Sequence, residues 1–291
     1  MKKPFLLLLN IFIFFGMSCF AATVDTIDIQ SVAMHKTYQA AVVLPNTYAK
    51  NKSAYPVLYL LHGGGGHFRD WLNSTPDKML VKNLADQYNL IIVMPEGETF
   101  SWYLNSHLDK TSQFESYITE DVIGKIDKTY RTVANNKGRV ITGLSMGGHG
   151  SLYLATRHPN LFCAAGSMSG GLDLNSTKWK ITPEFAKNVK DRFEKVLGKD
   201  TSISTLYSDN SVVNMADKMK ANMLPLVIDC GVDDFLLEPN RELHRRLVYN
   251  NTKHDYTEHP GGHTWEYWEN SLPYHILYFY KILKANGVTV P

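Results

Sequence analysis

The chain has 291 residues, 44% of them hydrophobic and 20% charged, which supplies one large core and excludes a fibrous or disordered protein. Its 30 basic and 28 acidic side chains leave a formal charge of +2, and no run of adjacent Lys or Arg is longer than two residues. Nucleic acid and anionic membrane surfaces are therefore poor candidate partners.

Lys2-Lys3, the apolar run Phe5 to Phe15 and the small residues from Ser18 to Ala22 read as a secretory leader spanning residues 1–21. The run is short for a membrane span, and Cys19-Phe20-Ala21 suits signal-peptidase cleavage after Ala21. A secreted or periplasmic protein is expected. The alternative is a lipoprotein acylated at Cys19, although Gly16 stands where a branched aliphatic residue is usual. Cleavage removes two lysines and no acid, so the mature chain is formally neutral. It retains Cys163 and Cys230, too few for a disulfide framework, and the two are expected to be buried free thiols.

In chain order, Thr26 to Ile29 and Tyr38 to Leu44 are β-like runs that fit an antiparallel edge. Tyr55 to Leu61 is continuously apolar, as in a strand buried on both faces, and ends in His62-Gly63-Gly64-Gly65-Gly66. A helical stretch, Asp77 to Tyr88, leads to the strand Leu90 to Met94. Gln113 to Tyr130 carries Phe114, Tyr117, Ile118, Val122, Ile126 and Tyr130 at helical spacing. Further buried strands are predicted at Val140 to Gly143, Phe162 to Ser167 and Leu224 to Cys230. The stretch 171–220 is far longer than an ordinary crossover and reads as a cap or lid insertion with a helix at Pro183 to Val196. Helices at Glu238 to Tyr249 and Trp265 to Leu283 flank a short strand, Tyr256 to His259. Strands alternating with crossover helices mean one mostly parallel, doubly wound α/β domain over residues 22–291.

The sequence that organises the rest is Val140-Ile141-Thr142-Gly143-Leu144-Ser145-Met146-Gly147-Gly148. A β-branched run enters Gly-x-Ser-x-Gly and helix-compatible residues follow, the pattern of a nucleophile elbow with Ser145 as nucleophile. A serine hydroxyl needs a base and an orienting acid downstream. His263, in the turn Gly261-Gly262-His263-Thr264-Trp265, is the base, with His259 as rival. Asp234, just past the end of a strand, is the acid; Asp233 is its neighbour, and Asp229 inside the strand suits a structural carboxylate. Backbone N–H groups of Gly64 and Met146 would form the oxyanion hole. No Lys-Ser/Thr follows the glycine run, so it is no phosphate loop, and no metal-ligand spacing competes; metal and cofactor are expected to be none. Trp102 and Trp265 are candidate substrate-binding residues, and His158, before Pro159, suits a favourable charge at a helix end.

These motifs resemble a group of α/β-hydrolases that includes esterase D-like enzymes, tributyrin esterases and feruloyl or acetyl-xylan esterases. The resemblance runs through Tyr59 to Gly63, Ser101-Trp102-Tyr103, Gly143 to Gly148, Ser167 to Gly170, Asp234-Phe235-Leu236 and Gly262-His263-Thr264-Trp265. It implies a serine esterase with nucleophile Ser145, acid Asp234 and base His263, acting on a small-molecule or oligosaccharide ester. Feruloyl or acetyl esters of carbohydrates are the expected substrates. A short-chain carboxylesterase, an S-formylglutathione hydrolase-like enzyme and an acyltransferase onto a sugar hydroxyl are the alternatives. Four consecutive glycines leave the loop-side oxyanion donor uncertain by one residue.

Overall fold

The computed structural model describes residues 21–199 and 205–290. The predicted leader up to Phe20, with Cys19, lies outside the described residues. No described helix is long and apolar enough to cross a membrane.

Eight strands form one sheet: β1 (Thr23–Ser31), β2 (Lys36–Leu44), β3 (Val57–Leu61), β4 (Ile91–Pro95), β5 (Arg139–Gly143), β6 (Ala164–Met168), β7 (Leu226–Gly231) and β8 (His254–His259). Their spatial order is β1-β2-β4-β3-β5-β6-β7-β8. The first two strands pair antiparallel and β2 meets β4 antiparallel, whereas every later pairing is parallel. β3, β4, β5, β6 and β7 are buried along their whole length. That explains why they read as unbroken apolar runs while the edge strand β8 alternates. Apolar side chains cover both faces, as a doubly wound sheet requires.

Element bounds differ from the sequence expectation in instructive ways. β6 begins at Ala164, so Cys163 stands ahead of the strand and is half-buried, where a buried thiol was expected; Cys230 is buried. Both are free. The helix expected from Gln113 to Tyr130 runs over Phe114 to Thr129 but widens into a π-turn over Tyr117–Val122. Hydrophobic spacing cannot reveal that widening, because the same face stays buried through it. The helix Pro183–Leu197, within the stretch expected to be an insertion, starts with Thr182 accepting from Phe185 N–H and proline in its first turn. The elbow helix (Met146–Arg157) and the final helix (Trp265–Ala285) complete the elements that carry the site.

Candidate active site

Ser145 sits between β5 and the elbow helix with φ 55° and ψ −116°, a conformation that strains any residue with a Cβ. The backbone around it is held from several sides. Ser145 N–H donates to Met168 O (2.9 Å) and Gly147 N–H to Leu144 O (2.7 Å), while Ser145 O accepts from His149 N–H (3.1 Å). Gly143 and Gly147 make the turn possible: a Cβ on Gly143 would lie 2.7 Å from Leu61 O, and one on Gly147 2.6 Å from Leu61 O and His62 O. The glycines of Gly-x-Ser-x-Gly are thus demanded by main-chain contact between β3, β5 and the helix.

His263 and Asp234 arrive from neighbouring strand ends. Val232 N–H donates to His259 O and Asp233 N–H to Gly261 O, both at 2.9 Å, which stitches the turn after β7 to the turn after β8. Gly261 has φ 128°, and a Cβ on Gly231 would strike Gly261 O at 2.2 Å, so both glycines are required for that approach. His263 Nδ1 donates to Asp234 Oδ2 at 2.8 Å, and Ser145 Oγ donates to His263 Nε2 at 2.9 Å. Asp234 Oδ1 accepts from Leu236 N–H at 2.8 Å. The Asp234 side chain is fully buried whereas that of His263 is 19% exposed, so the carboxylate orients the imidazole and the imidazole meets solvent. Phe235 and Trp268 flank the ring, at centroid distances of 4.5 and 4.8 Å.

The rivals are elsewhere. His259 is exposed at the end of β8 and stacks on Tyr274, and Asp233 points to solvent. Asp229 is buried and accepts from His275 Nε2 (2.7 Å) and Ser271 Oγ (2.8 Å). His158 is the C-terminal cap of the elbow helix, and its Nε2 lies 2.8 Å from a carboxylate oxygen of buried Glu115.

In the glycine loop, Gly65 N–H donates to Thr99 O (2.8 Å) and Gly66 N–H to Gly63 O (3.2 Å), which leaves the exposed Gly64 N–H for a ligand. His62 Nδ1 donates to Gly63 O (2.9 Å), a carbonyl that can only accept, while Nε2 lies 2.9 Å from Gly97 N and 3.4 Å from Glu96 Oε1. Gly63 C=O and Gly64 N–H belong to one peptide plane. Fixing the first aims the second. Met146 opens the elbow helix, where N–H groups lack intrahelical partners, and a Cβ on Gly64 would come within 4.0 Å of Met146 Cβ.

Two cavities border Ser145, His263, Gly64 and Gly65. One, of about 300 Å³, is lined by Phe100, Trp102, Trp179, Val189, Arg192 and Phe235, among others. The other, of about 220 Å³, includes Gly63 to Gly66, Asp70, Trp265 and Trp268. Trp102 thus lines the first cavity beside Ser145 and Trp265 the second. Trp102 and Tyr103 adopt φ of 55° and 57°, a strained pair held by Tyr103 Oη donating to His62 O (3.1 Å) and by Trp102 packing on Phe193 and His149.

Over residues 31–279 the sequence matches the family described as "Putative esterase". The chain belongs to this esterase family. It is a carboxylic ester hydrolase on an α/β-hydrolase fold. An acetyl esterase from Caldicellulosiruptor saccharolyticus is 28% identical over 219 residues, covering 74% of this chain and 79% of the relative. An esterase from Mycobacterium tuberculosis is 30% identical over 237 residues, covering 76% of this chain but 51% of its own, so the chain spans about half the length of that relative. A solved ferulic acid esterase superposes with a TM-score of 0.75 at 26% identity, over 90% of this chain and 99% of its own.

The esterase's stretch between β6 and β7 brings to the larger of the two cavities side chains that the sequence does not single out: Trp179, Phe185, Asn188, Val189 and Arg192. Its helix Pro183–Leu197 is strongly amphipathic, but which neighbour its apolar face would meet has no local signature. His149 on the elbow helix ties to the same stretch, with Nε2 donating to Asn210 O at 2.8 Å. Burial holds that imidazole down at about 4, against which the Asn210 carbonyl acts only partly.

Proposed function

We propose that the protein hydrolyses acyl esters of carbohydrates through an acyl-enzyme on Ser145, with feruloyl or acetyl as the acyl group. The observation that carries this reading is the unbroken chain from Asp234 Oδ2 through His263 to Ser145 Oγ, opening onto two cavities. Ser145 Oγ attacks the ester carbonyl while His263 Nε2 takes its proton. Asp234 keeps the other ring proton on Nδ1 and favours the imidazolium that forms. The oxyanion receives the N–H groups of Gly64 and Met146. Collapse expels the alcohol, which takes the proton from His263, and a water activated by the same nitrogen then releases the acid.

The acyl group enters the 300 Å³ cavity, the size of a small-molecule pocket, whose rings suit a planar phenolic acid. The alcohol leaves through the smaller, more polar cavity beside Trp265 and Trp268. An acetyl esterase and a ferulic acid esterase among the similar proteins support the two acyl groups. Residues 22–291 form a single domain in this reading, with 171–220 as the insertion that roofs the acyl cavity. Export through the 1–21 leader puts the enzyme where polysaccharide esters are found.

The test compares kcat/KM for a feruloylated arabinose ester, an acetylated xylo-oligosaccharide and an aryl butyrate, each with and without chelator. Either sugar ester leading is expected. The butyrate leading by more than about tenfold, roughly 1.4 kcal/mol, assigns a general short-chain esterase instead, and loss of activity with chelator contradicts the serine mechanism. Intact mass of protein from the native host reads the leader, and a diacylglycerol adduct on Cys19 contradicts free export.

A further inference from the structure

Beneath the site lies a second hydroxyl, imidazole and carboxylate chain. Thr142 Oγ1 bonds His275 Nδ1 at 2.8 Å, His275 Nε2 bonds Asp229 Oδ2 at 2.7 Å, and Ser271 Oγ donates to Asp229 Oδ1 at 2.8 Å. Thr142 and His275 are completely buried, and Asp229 and Ser271 are 3% and 4% exposed. With the His275 proton on Nε2, Asp229 accepts twice and Thr142 donates to Nδ1, so every polar atom of the group is satisfied.

The group occupies a slot made for it. Gly166 on β6 has no side chain, and a Cβ there would lie 2.5 Å from His275 Nδ1 and 2.7 Å from Thr142 Oγ1. Ser271 and His275 lie one turn apart on the final helix and face the sheet together. What the slot joins is specific. Thr142 is on β5, which runs into Ser145; Asp229 is on β7, which runs into Asp234; and the final helix begins just after His263. One buried cluster thus ties the three elements that present the three side chains of the candidate triad.

We propose that Thr142, His275 and Asp229 are positioning residues that set the relative register of β5, β7 and the final helix, and through it the Ser145–His263–Asp234 geometry. The proposal rests on the reading of that triad as the catalytic one. Hydrogen bonds across a dry interface are short and directional, whereas apolar packing tolerates sliding by fractions of an ångström. Displacing an attacking group by about 1 Å costs on the order of 10²-fold in rate. Tyr267 on the same helix and Cys230 on β7 are the other titratable side chains facing Asp229. Burial drives both upward, with the Asp229 charge adding at Tyr267 and the Asp234 and then Asp229 charges adding at Cys230, so they stay protonated.

The experiment is steady-state kinetics for Thr142→Val, Thr142→Ser and Ser271→Ala, with Ser145→Ala in parallel. Thr142→Val is expected to lower kcat by about 10- to 100-fold with KM little changed. Thr142→Ser, which keeps the hydroxyl, should restore kcat. Ser271→Ala removes one donor to Asp229, leaves the other two bonds in place, and should lower kcat at constant KM by a smaller amount; it serves if Thr142→Val does not fold. A folded Thr142→Val or Ser271→Ala with lowered Tm but unchanged kcat overturns the proposal, as does a Thr142→Ser that stays as slow as Thr142→Val. An active Ser145→Ala overturns the triad reading instead, so the two failures are distinguishable.

Discussion

Two chains of hydroxyl, imidazole and carboxylate lie one above the other in this molecule, with almost the same bond lengths. In the upper one, His263 meets Asp234 through Nδ1 at 2.8 Å and Ser145 through Nε2 at 2.9 Å. In the lower one the ring is reversed, with Asp229 on Nε2 at 2.7 Å and Thr142 on Nδ1 at 2.8 Å. The environments differ far more than the bonds do. Ser145 stands on a strained turn beside two cavities and two backbone donors, while Thr142 is an ordinary strand residue with no exposure. Hydrogen-bonded order alone therefore makes a clamp. Access for a carbonyl, and donors for its oxyanion, are what the acyl transfer proposed for the upper chain requires and what the lower chain lacks.

The comparison breaks most visibly at the hydroxyls. Ser145→Ala is expected to lower kcat by roughly 10⁴ or more with the fold retained, far beyond the loss expected from Thr142→Val. Comparable losses in the two would erase the distinction between site and clamp. Asp234→Asn should cost on the order of 10⁴ in kcat by admitting the wrong imidazole tautomer, whereas exposed Asp233→Asn should cost under about tenfold. Kinetics of the pair settle it, and an exchange of behaviour between them moves the acid to Asp233.

The lower chain answers in stability. Asp229→Ala leaves the His275 and Ser271 donors facing a void, and denaturant unfolding should show a loss of about 2–5 kcal/mol, at about 1–3 kcal/mol for each buried donor left unsatisfied. A loss under about 1 kcal/mol, the scale of a surface pair, contradicts a buried clamp.

A third imidazole sharpens the contrast through pH. His149 is buried and its value is held down at about 4, against the ordinary 6.5. Between those values the unfolded chain binds more protons than the folded one, so stability falls as pH drops from 6.5 toward 4. His149→Gln, which keeps an N–H for Asn210 O, should remove on the order of 2 kcal/mol of that acid loss. Unfolding midpoints at pH 7 and pH 4.5 measure it, and equal acid losses in variant and parent contradict the assignment. The smallest effect expected is in selectivity. Trp179→Ala opens the roof of the acyl cavity and should lower kcat/KM for a feruloyl ester by about tenfold, roughly 1.4 kcal/mol, relative to an acetyl ester. Equal losses for the two esters contradict the cavity's role.

The upper chain was legible in the sequence because each of its members is announced locally. Ser145, Asp234 and His263 each follow a β-like run, and glycines beside them mark the tight turns that the structure brings together. The parallel sheet was legible for the same reason: its buried strands are unbroken apolar runs. Thr142 and His275 carry no such signal. A threonine in a β-branched strand and a histidine in an aromatic helix look like filler, and only the Gly166 slot between them gives them meaning. Trp179, Val189 and Arg192 are likewise invisible in the sequence as a pocket wall, since nothing local states that this stretch lines the same cavity as Ser145. Asp229, placed inside its strand, has the position of a structural carboxylate, and its partners His275 and Ser271 fit that role.

The most direct measurement is to mix the enzyme with an aryl ester, quench in acid within the first turnovers and map the modified peptide by mass spectrometry. The account predicts one acyl group per chain on Ser145, absent in Ser145→Ala and accumulating in proportion to a burst of released phenol. An acyl group on any other residue, or turnover with no trapped acyl-enzyme and full activity in Ser145→Ala, would contradict it.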